Sequence, residues 1–323
     1  MSCYSPLAGK LKKDGTYEVT SLKAYTSEDY RTFIQHDLVH EYILIPCGKC
    51  IGCRLDYCRK WADRMMMELK AQKKGIFLTL TYDDDHVPIL FDENDFPVCP
   101  TVDKKDVQDF VKRLRRAYDG KNGHPGPIQI RYYAGLEYGD EKQRPHAHMI
   151  LYGLSIDDFF DAEFVGVNEL NQEFFSSNIL RFIWSNGNIY MSDVTYATCA
   201  YVARYVMKKA QSDLTPWNKG EEKESNLMSR KPGIGVPYLD ECPDALKYES
   251  VPLPDGKTAS IPKIFIQRLP EEEREVIMEQ RKKLANDAFL YRLQQNKLGV
   301  VEQLEASELN KEKQIRSLKR VCF

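Results

Sequence analysis

Residues 145–152 read PHAHMILY, a proline followed by two histidines set into an otherwise apolar run. From His146 to Tyr152 the run predicts a strand. Side chains alternate across a strand, so His146 and His148 point together while Ala147 points away. Two imidazoles on one side can hold a divalent cation through neutral ring nitrogens. The competing reading is a pair of ordinary histidines on a wet sheet face. Just upstream, Ile128 to Glu137 predicts a second strand and GDEKQRP, residues 139–145, a turn. A tight antiparallel connection sets Glu137 beside the histidines. A carboxylate with two histidines, and room for water or phosphate, suits Mg²⁺ or Mn²⁺ as a Lewis acid. An ion pair of Glu137 with Arg131 or Arg144 competes with that role.

Working outward, Ile76 to Tyr82 (IFLTLTY) is β-branched and aromatic and predicts a strand. Asp103 is an N-cap candidate for a helix carrying Val107, Phe110, Val111, Leu114 and Tyr118 at helical spacing. Downstream, Glu169 to Trp184 predicts a helix, Asn188 to Asp193 a strand and Thr195 to Ala210 another helix. This order is the split βαβ, ferredoxin-like arrangement, an α+β class with an antiparallel sheet and flanking helices in two layers. Before it, Arg54 to Lys74 predicts a helix with Leu55, Cys58, Ala62, Met65 and Leu69 on one face, stopped by Gly75.

The expected organisation is a Cys-rich N-terminal arm over residues 1–60, irregular to Cys53, and a core over 61–210. A Pro/Gly-rich excursion over 211–262 and a charged helical C-terminal region over 263–323 follow. Asp83 to Pro100 is expected to be a loop.

Three further clusters carry chemistry. Tyr201 and Tyr205 in YVARYVMKK are four apart, which places them on one helix face, with Lys208 and Lys209 just beyond. A phenol needs its pKa of about 10 lowered, or a nearby metal, to attack at neutral pH. Two core tyrosines with surface lysines is the plainer reading. Next, Cys47, Cys50 and Cys53 are spaced for a tetrahedral structural zinc site, with Cys3 or alternatively Cys58 as fourth ligand. Free buried thiols are the other reading, and Cys99, Cys199, Cys242 and Cys322 fit it. Finally, Lys112, Arg113, Arg115 and Arg116, with Lys104 and Lys105, form a cationic helix face. Arg113 and Arg116 can contact nucleic-acid phosphates, or the face simply solvates the helix.

Composition bounds these readings. The chain has 323 residues and a formal net charge of -2, which leaves room for a local basic face. No apolar run is long enough to span a membrane, and Met1 to Lys13 lacks the apolar core of a secretory signal. A reducing cytoplasm is therefore expected, where nine cysteines serve as thiols or metal ligands rather than disulfides.

A hydrophobic strand like FLTLTY, then Pro-His-Ala-His, then Tyr-x-x-x-Tyr with a lysine, resembles the ordered motifs of the HUH endonucleases. The paired tyrosines look like those of microvirus rolling-circle initiators. The run PCGKCIGCR and the opening MSCYSP are similar to gokushovirus replication initiation proteins. The resemblance covers roughly residues 1 to 210. It implies a cation on His146, His148 and Glu137, and nicking of a single-stranded DNA origin by Tyr201 or Tyr205 through a 5′-phosphotyrosine. Lys208 and Lys209 would sit near the substrate phosphate. It also implies action in the cytoplasm of a bacterial host, with the host's DNA polymerase and helicase as partners and no membrane. The chain has no G-x-x-x-x-G-K-[ST] loop, which agrees with a borrowed helicase. The alternative function is a non-catalytic zinc-dependent DNA-binding protein. An oxygenase built on His-x-His plus Glu leaves the tyrosine pair unexplained.

Overall fold

The computed structural model describes residues 3–12, 14, 16–21, 42–121, 126–139, 143–168, 172–209, 221–247, 250–253, 256, 258–294 and 300–316. The chain divides into two compact units. One draws on residues up to Tyr57 and from Ile266 onward; the other spans Cys58–Phe265.

In the first unit the N-terminal arm is not irregular. Strands β1 (Leu7–Leu11), β2 (Tyr17–Ser21) and β3 (Tyr42–Ile45) form an antiparallel sheet in the order β2-β1-β3. The turn between β1 and β2 is built by Asp14, whose carboxylate accepts from the N–H of Thr16 at 2.9 Å and its hydroxyl at 2.7 Å. The β1–β3 pairing joins Leu7 to Ile45, a contact remote in sequence that no local pattern announces. Two helices, Glu271–Gln294 and Val300–Arg316, agree with the charged helical end expected from the sequence.

Helix α1 (Ile51–Gln72) begins three residues earlier than expected and contains the division between the units. Its end is set by Lys73, in the left-handed region at φ 63°, and Gly75 instead opens the next strand.

The second unit is organised on a seven-stranded antiparallel sheet, in the order β12-β7-β8-β4-β11-β10-β9. Its strands are β4 (Gly75–Thr81), β7 (Arg131–Tyr138), β8 (Pro145–Tyr152), β9 (Glu163–Val167), β10 (Glu173–Ser176), β11 (Ile189–Asp193) and β12 (Ser225–Met228). The segment 83–100, expected as a loop, carries a small hairpin of β5 (Ile89–Phe91) and β6 (Pro97–Pro100).

Helices cover both faces of the sheet, not one. On one face Ile76, Leu78, Leu80, Ala134, Leu136, Met149, Leu151 and Met191 pack against α2 (Lys104–Ala117) and α3 (Asn178–Trp184), through Phe110, Leu114, Leu180 and Trp184. Asp103 caps α2 as expected, its carboxylate accepting from the Lys105 N–H. On the other face lie α1 from Cys58 onward and α4 (Tyr196–Lys209): the Tyr152 hydroxyl donates to the Met65 carbonyl at 3.0 Å, and Tyr201 meets Phe77 edge-on. A third layer has a plain cause. GIFLTLT and RYYAGLEY are buried on both faces, which only two covering layers can achieve.

Two other expectations are corrected. The helix expected from Glu169 to Trp184 is confined to α3, capped by the Ser177 hydroxyl. The chain before it forms strands β9 and β10, with Phe175 opposite Phe164. The region 211–262 is not a bare linker, for within it β12 adds to the sheet beside β7, with Leu227 opposite Ala134. Its following turn is held by a buried ion pair. Glu68 accepts from Arg131 Nε at 2.5 Å and from the Gly235 N–H at 2.6 Å, and Arg131 also donates to the Pro232 carbonyl at 2.8 Å.

Candidate metal centre and its tyrosine helix

The antiparallel register of β7 and β8 sets Glu137 opposite His146 and Gly135 opposite His148. All three candidate ligands therefore share the face that α1 and α4 cover. His146 Nε2 lies 2.7 Å and His148 Nε2 3.2 Å from the same Glu137 oxygen. Glu137 and His148 are buried, and His146 keeps a solvent-facing edge. Burial alone would raise the Glu137 pKa. The two histidines outweigh that, and hold the carboxyl well below the usual carboxylate range. The competing ion pairs do not form as expected: Arg131 is paired with Glu68, and Arg144 with Asp84 at 2.7 Å.

The second ring nitrogens have partners too. His146 Nδ1 lies 3.2 Å from the Arg144 carbonyl, and His148 Nδ1 lies 3.1 Å from the Thr79 hydroxyl. Phe77 stacks on His148, centroids 5.6 Å apart and planes 5° from parallel. Sequence reading singled out neither Thr79 nor Phe77. The signal was available, since β4 pairs with β8 so that Thr79 falls opposite His148.

Helix α4 brings in the tyrosines. Thr195 and Thr198 open it by bonding each other's backbone N–H, at 2.9 and 3.2 Å. Cys199, Val202 and Ala203 are buried, and the half-buried Tyr201 sits against the histidine pair. Its ring meets His148 at 5.0 Å and 81°. The helix backbone continues through Tyr205 and Lys208 to Lys209, but the side chains of those three lie outside the described residues.

One carboxylate oxygen and two imidazole nitrogens, all within 4.8 Å of one another, fit a small divalent cation. The fit is chemical as well as geometric: each histidine has its outer nitrogen engaged, which leaves Nε2 for the ion.

The cysteine cluster forms within the other unit. Cys3, Cys47, Cys50 and Cys53 bring their sulfurs within 4.8 Å of one another. The CGKC turn, with Gly48 at φ 74°, aims the N–H groups of Lys49 and Cys50 at Cys47 Sγ, at 3.4 and 3.3 Å. Cys3 Sγ accepts from the Cys47 N–H, and Cys50 Sγ from the Tyr4 and Cys53 N–H groups. Sulfurs ringed by donors are sites prepared for thiolate, the form that binds metal. The Cys50 thiol is pulled down to about 4 by Cys3 and these amides. Cys58 is not in the cluster. It donates to the Ala203 carbonyl at 3.2 Å, and burial pushes its thiol up to about 12.

The cationic face of α2 has a different setting. Arg113 donates to the carbonyls of Ile183 and Trp184 at 2.7 and 2.8 Å, closing the end of α3. Arg115 donates to the Ile130 carbonyl at 2.9 Å, and Arg116 is exposed. Helix α2 lies on the sheet face opposite the histidines, so Arg113 and Arg116 stand apart from the candidate centre. Among the described residues, no helix is long and apolar enough to cross a membrane.

Fold and site together define an α+β protein with a His-His-Glu set on an antiparallel sheet, a tyrosine-bearing helix against it, and a separate four-cysteine cluster. The chain belongs to the replication-associated protein ORF2 family, whose model matches over residues 75–210. It is 31% identical to the replication-associated protein ORF2 of Spiroplasma virus 4, over 90% of this chain and 89% of that one. It is 32% identical to the replication-associated protein VP4 of Bdellovibrio phage phiMH2K, over 68% of this chain and 65% of that one. A third relative, the replication-associated protein ORF4 of Chlamydia phage 1, is 28% identical over 72% of this chain and 55% of its own. No solved structure matches the chain.

Proposed function

We propose that the chain starts rolling-circle replication of a small single-stranded DNA phage, by nicking and rejoining origin DNA as an HUH-type endonuclease. The observation that carries this reading is the contact of Tyr201 with His148, which sets a candidate nucleophile against the candidate metal ligands. The printed names of the relatives support the replication role.

In this reading Glu137, His146 and His148 hold Mg²⁺ or Mn²⁺. The bound ion supplies Lewis-acid polarisation of a phosphodiester. The phenol of Tyr201 or Tyr205 loses its proton to solvent as its oxygen bonds phosphorus. The bond from phosphorus to the 3′ oxygen breaks, and that oxygen takes up a proton. The products are a 5′-phosphotyrosine and a free 3′-hydroxyl that primes the host DNA polymerase. The second tyrosine repeats the exchange at the regenerated origin, and a 3′-hydroxyl recloses the released strand. Each transfer conserves the phosphodiester bond energy, so no nucleoside triphosphate is consumed in joining. Lys208, Lys209 and the exposed Arg116 offer charge to DNA phosphates, whereas Arg113 has its structural task at α3. Zn²⁺ on Cys3, Cys47, Cys50 and Cys53 orders the N-terminal arm. Unwinding falls to a host helicase, in the bacterial cytoplasm.

The test is incubation with origin-like single-stranded DNA and Mn²⁺, followed by boiling in detergent. A surviving protein–DNA adduct is expected. Binding without an adduct would instead mark a non-catalytic DNA-binding protein.

A further inference from the structure

Two imidazoles in this site face the same problem and solve it differently. An imidazole binds a cation through a nitrogen that carries no proton, so the other nitrogen must keep its own. For His146 the backbone enforces this. Its Nδ1 faces the Arg144 carbonyl at 3.2 Å, and a carbonyl only accepts, so Nδ1 carries the hydrogen and Nε2 is free. For His148 the partner is a hydroxyl, Thr79 Oγ1, at 3.1 Å. A hydroxyl can donate or accept, so it matches a protonated Nδ1 when Nε2 takes a cation.

Both groups are buried, at 5% exposure for Thr79 and 3% for His148, so water does not replace the bond if it is lost. Phe77 fixes the ring plane by stacking but offers no acceptor. The acceptor that the fold presents to His148 Nδ1 is therefore the side chain of Thr79.

We propose that Thr79 is a positioning residue: its hydroxyl accepts the Nδ1–H of His148 and so commits Nε2 to a divalent cation shared with Glu137 and His146. The proposal rests on the metal reading above, but not on the nicking chemistry.

Thr79→Val keeps the branched shape a strand favours and removes the acceptor. Thr79→Ser keeps the hydroxyl. Titration of Mn²⁺ alone into the zinc-loaded full chain, followed by calorimetry, reads affinity without any DNA. Thr79→Val is expected to bind Mn²⁺ about 10- to 100-fold more weakly than the wild type, and Thr79→Ser to recover most of that loss. Wild-type affinity in Thr79→Val, or a Thr79→Ser variant as weak as Thr79→Val, overturns the role of Thr79. A wild-type chain that binds no Mn²⁺ overturns the metal reading itself. If Thr79→Val fails to fold, long-range ¹⁵N–¹H spectra of the wild type with Mg²⁺ decide instead. A proton on Nδ1 of His148 supports the proposal, and one on Nε2 overturns it.

Discussion

The ring of Tyr201 stands edge-on to the ring of His148, with centroids 5.0 Å apart and planes at 81°. A core tyrosine needs only burial, but this one is half-buried and touches a residue of the His-His-Glu set. Tyr201→Phe keeps that edge contact and removes the nucleophile. Adduct formation is expected to continue through Tyr205 alone in this variant, and peptide mapping would show the DNA on that residue. With both tyrosines changed to Phe, adduct yield should fall by about 10³-fold or more, with the unfolding temperature unchanged. A double variant with wild-type yield ends the tyrosine assignment.

Four sulfurs ringed by amide donors make a strong case for bound zinc, and two cysteines separate it from free thiols. Cys50→Ser removes the sulfur that accepts from both Tyr4 and Cys53. About one equivalent of zinc is expected in the wild type, and loss of that zinc with a lower unfolding temperature in the variant. Cys58→Ser serves as the contrast, since Cys58 bonds the Ala203 carbonyl and should leave the zinc content unchanged. Elemental analysis showing zinc retained in Cys50→Ser would remove the site.

Glu68 and Arg131 are an ion pair with side chains 0% and 4% exposed. Removing one partner leaves the other charge buried without its complement, which costs about 3–5 kcal/mol. Glu68→Met and Arg131→Met should each lower stability by that order in urea unfolding. The double variant should lose less than the sum, because neither charge then remains stranded. Glu68 also holds the Gly235 N–H, so the single change at 68 should be the costlier. A cost below about 1 kcal/mol in both single variants would show that the pair is not isolated from solvent.

What could be read from the sequence divides along locality. The His146–His148 parity, the Asp103 cap and the α4 helix rest on neighbours a few residues away, and each is where the sequence placed it. The strand β10 was hidden because Phe175, Ile179 and Ile183 repeat every four residues, a helical period; only the last two lie on a helix, and pairing with β9 claims the first. Strands β3 and β12 were illegible for a related reason, since their partners lie far off in the chain. Within the site, the fourth sulfur was open between Cys3 and Cys58. Only folding shows that Cys3 joins the cluster while Cys58 is buried elsewhere. The second layer of helices was signalled by IFLTLT, which lacks the alternation of a one-sided strand.

Lys74 and Ser155 converge on Asp158 at a bend after β8, and this gives a pH dependence separate from the metal centre. Lys74 Nζ lies 2.7 Å from Asp158 Oδ1, while the Ser155 N–H and hydroxyl donate to Oδ2 at 2.7 and 2.9 Å. Partial burial works against the carboxylate, but Lys74 and Ser155 outweigh it and hold Asp158 below its ordinary value. A folded-state pKa depressed in this way contributes stability in full above the unfolded value of about 3.9, and that stability is lost as pH falls through the folded value. Asp158→Asn should therefore be less stable than wild type by about 1 kcal/mol at pH 7, with the gap closing as the pH drops below about 4. Lys74 is half exposed, so its share should also shrink as salt is added. A gap that stays constant from neutral to acid pH would mean that the aspartate acts through its shape and not through its charge.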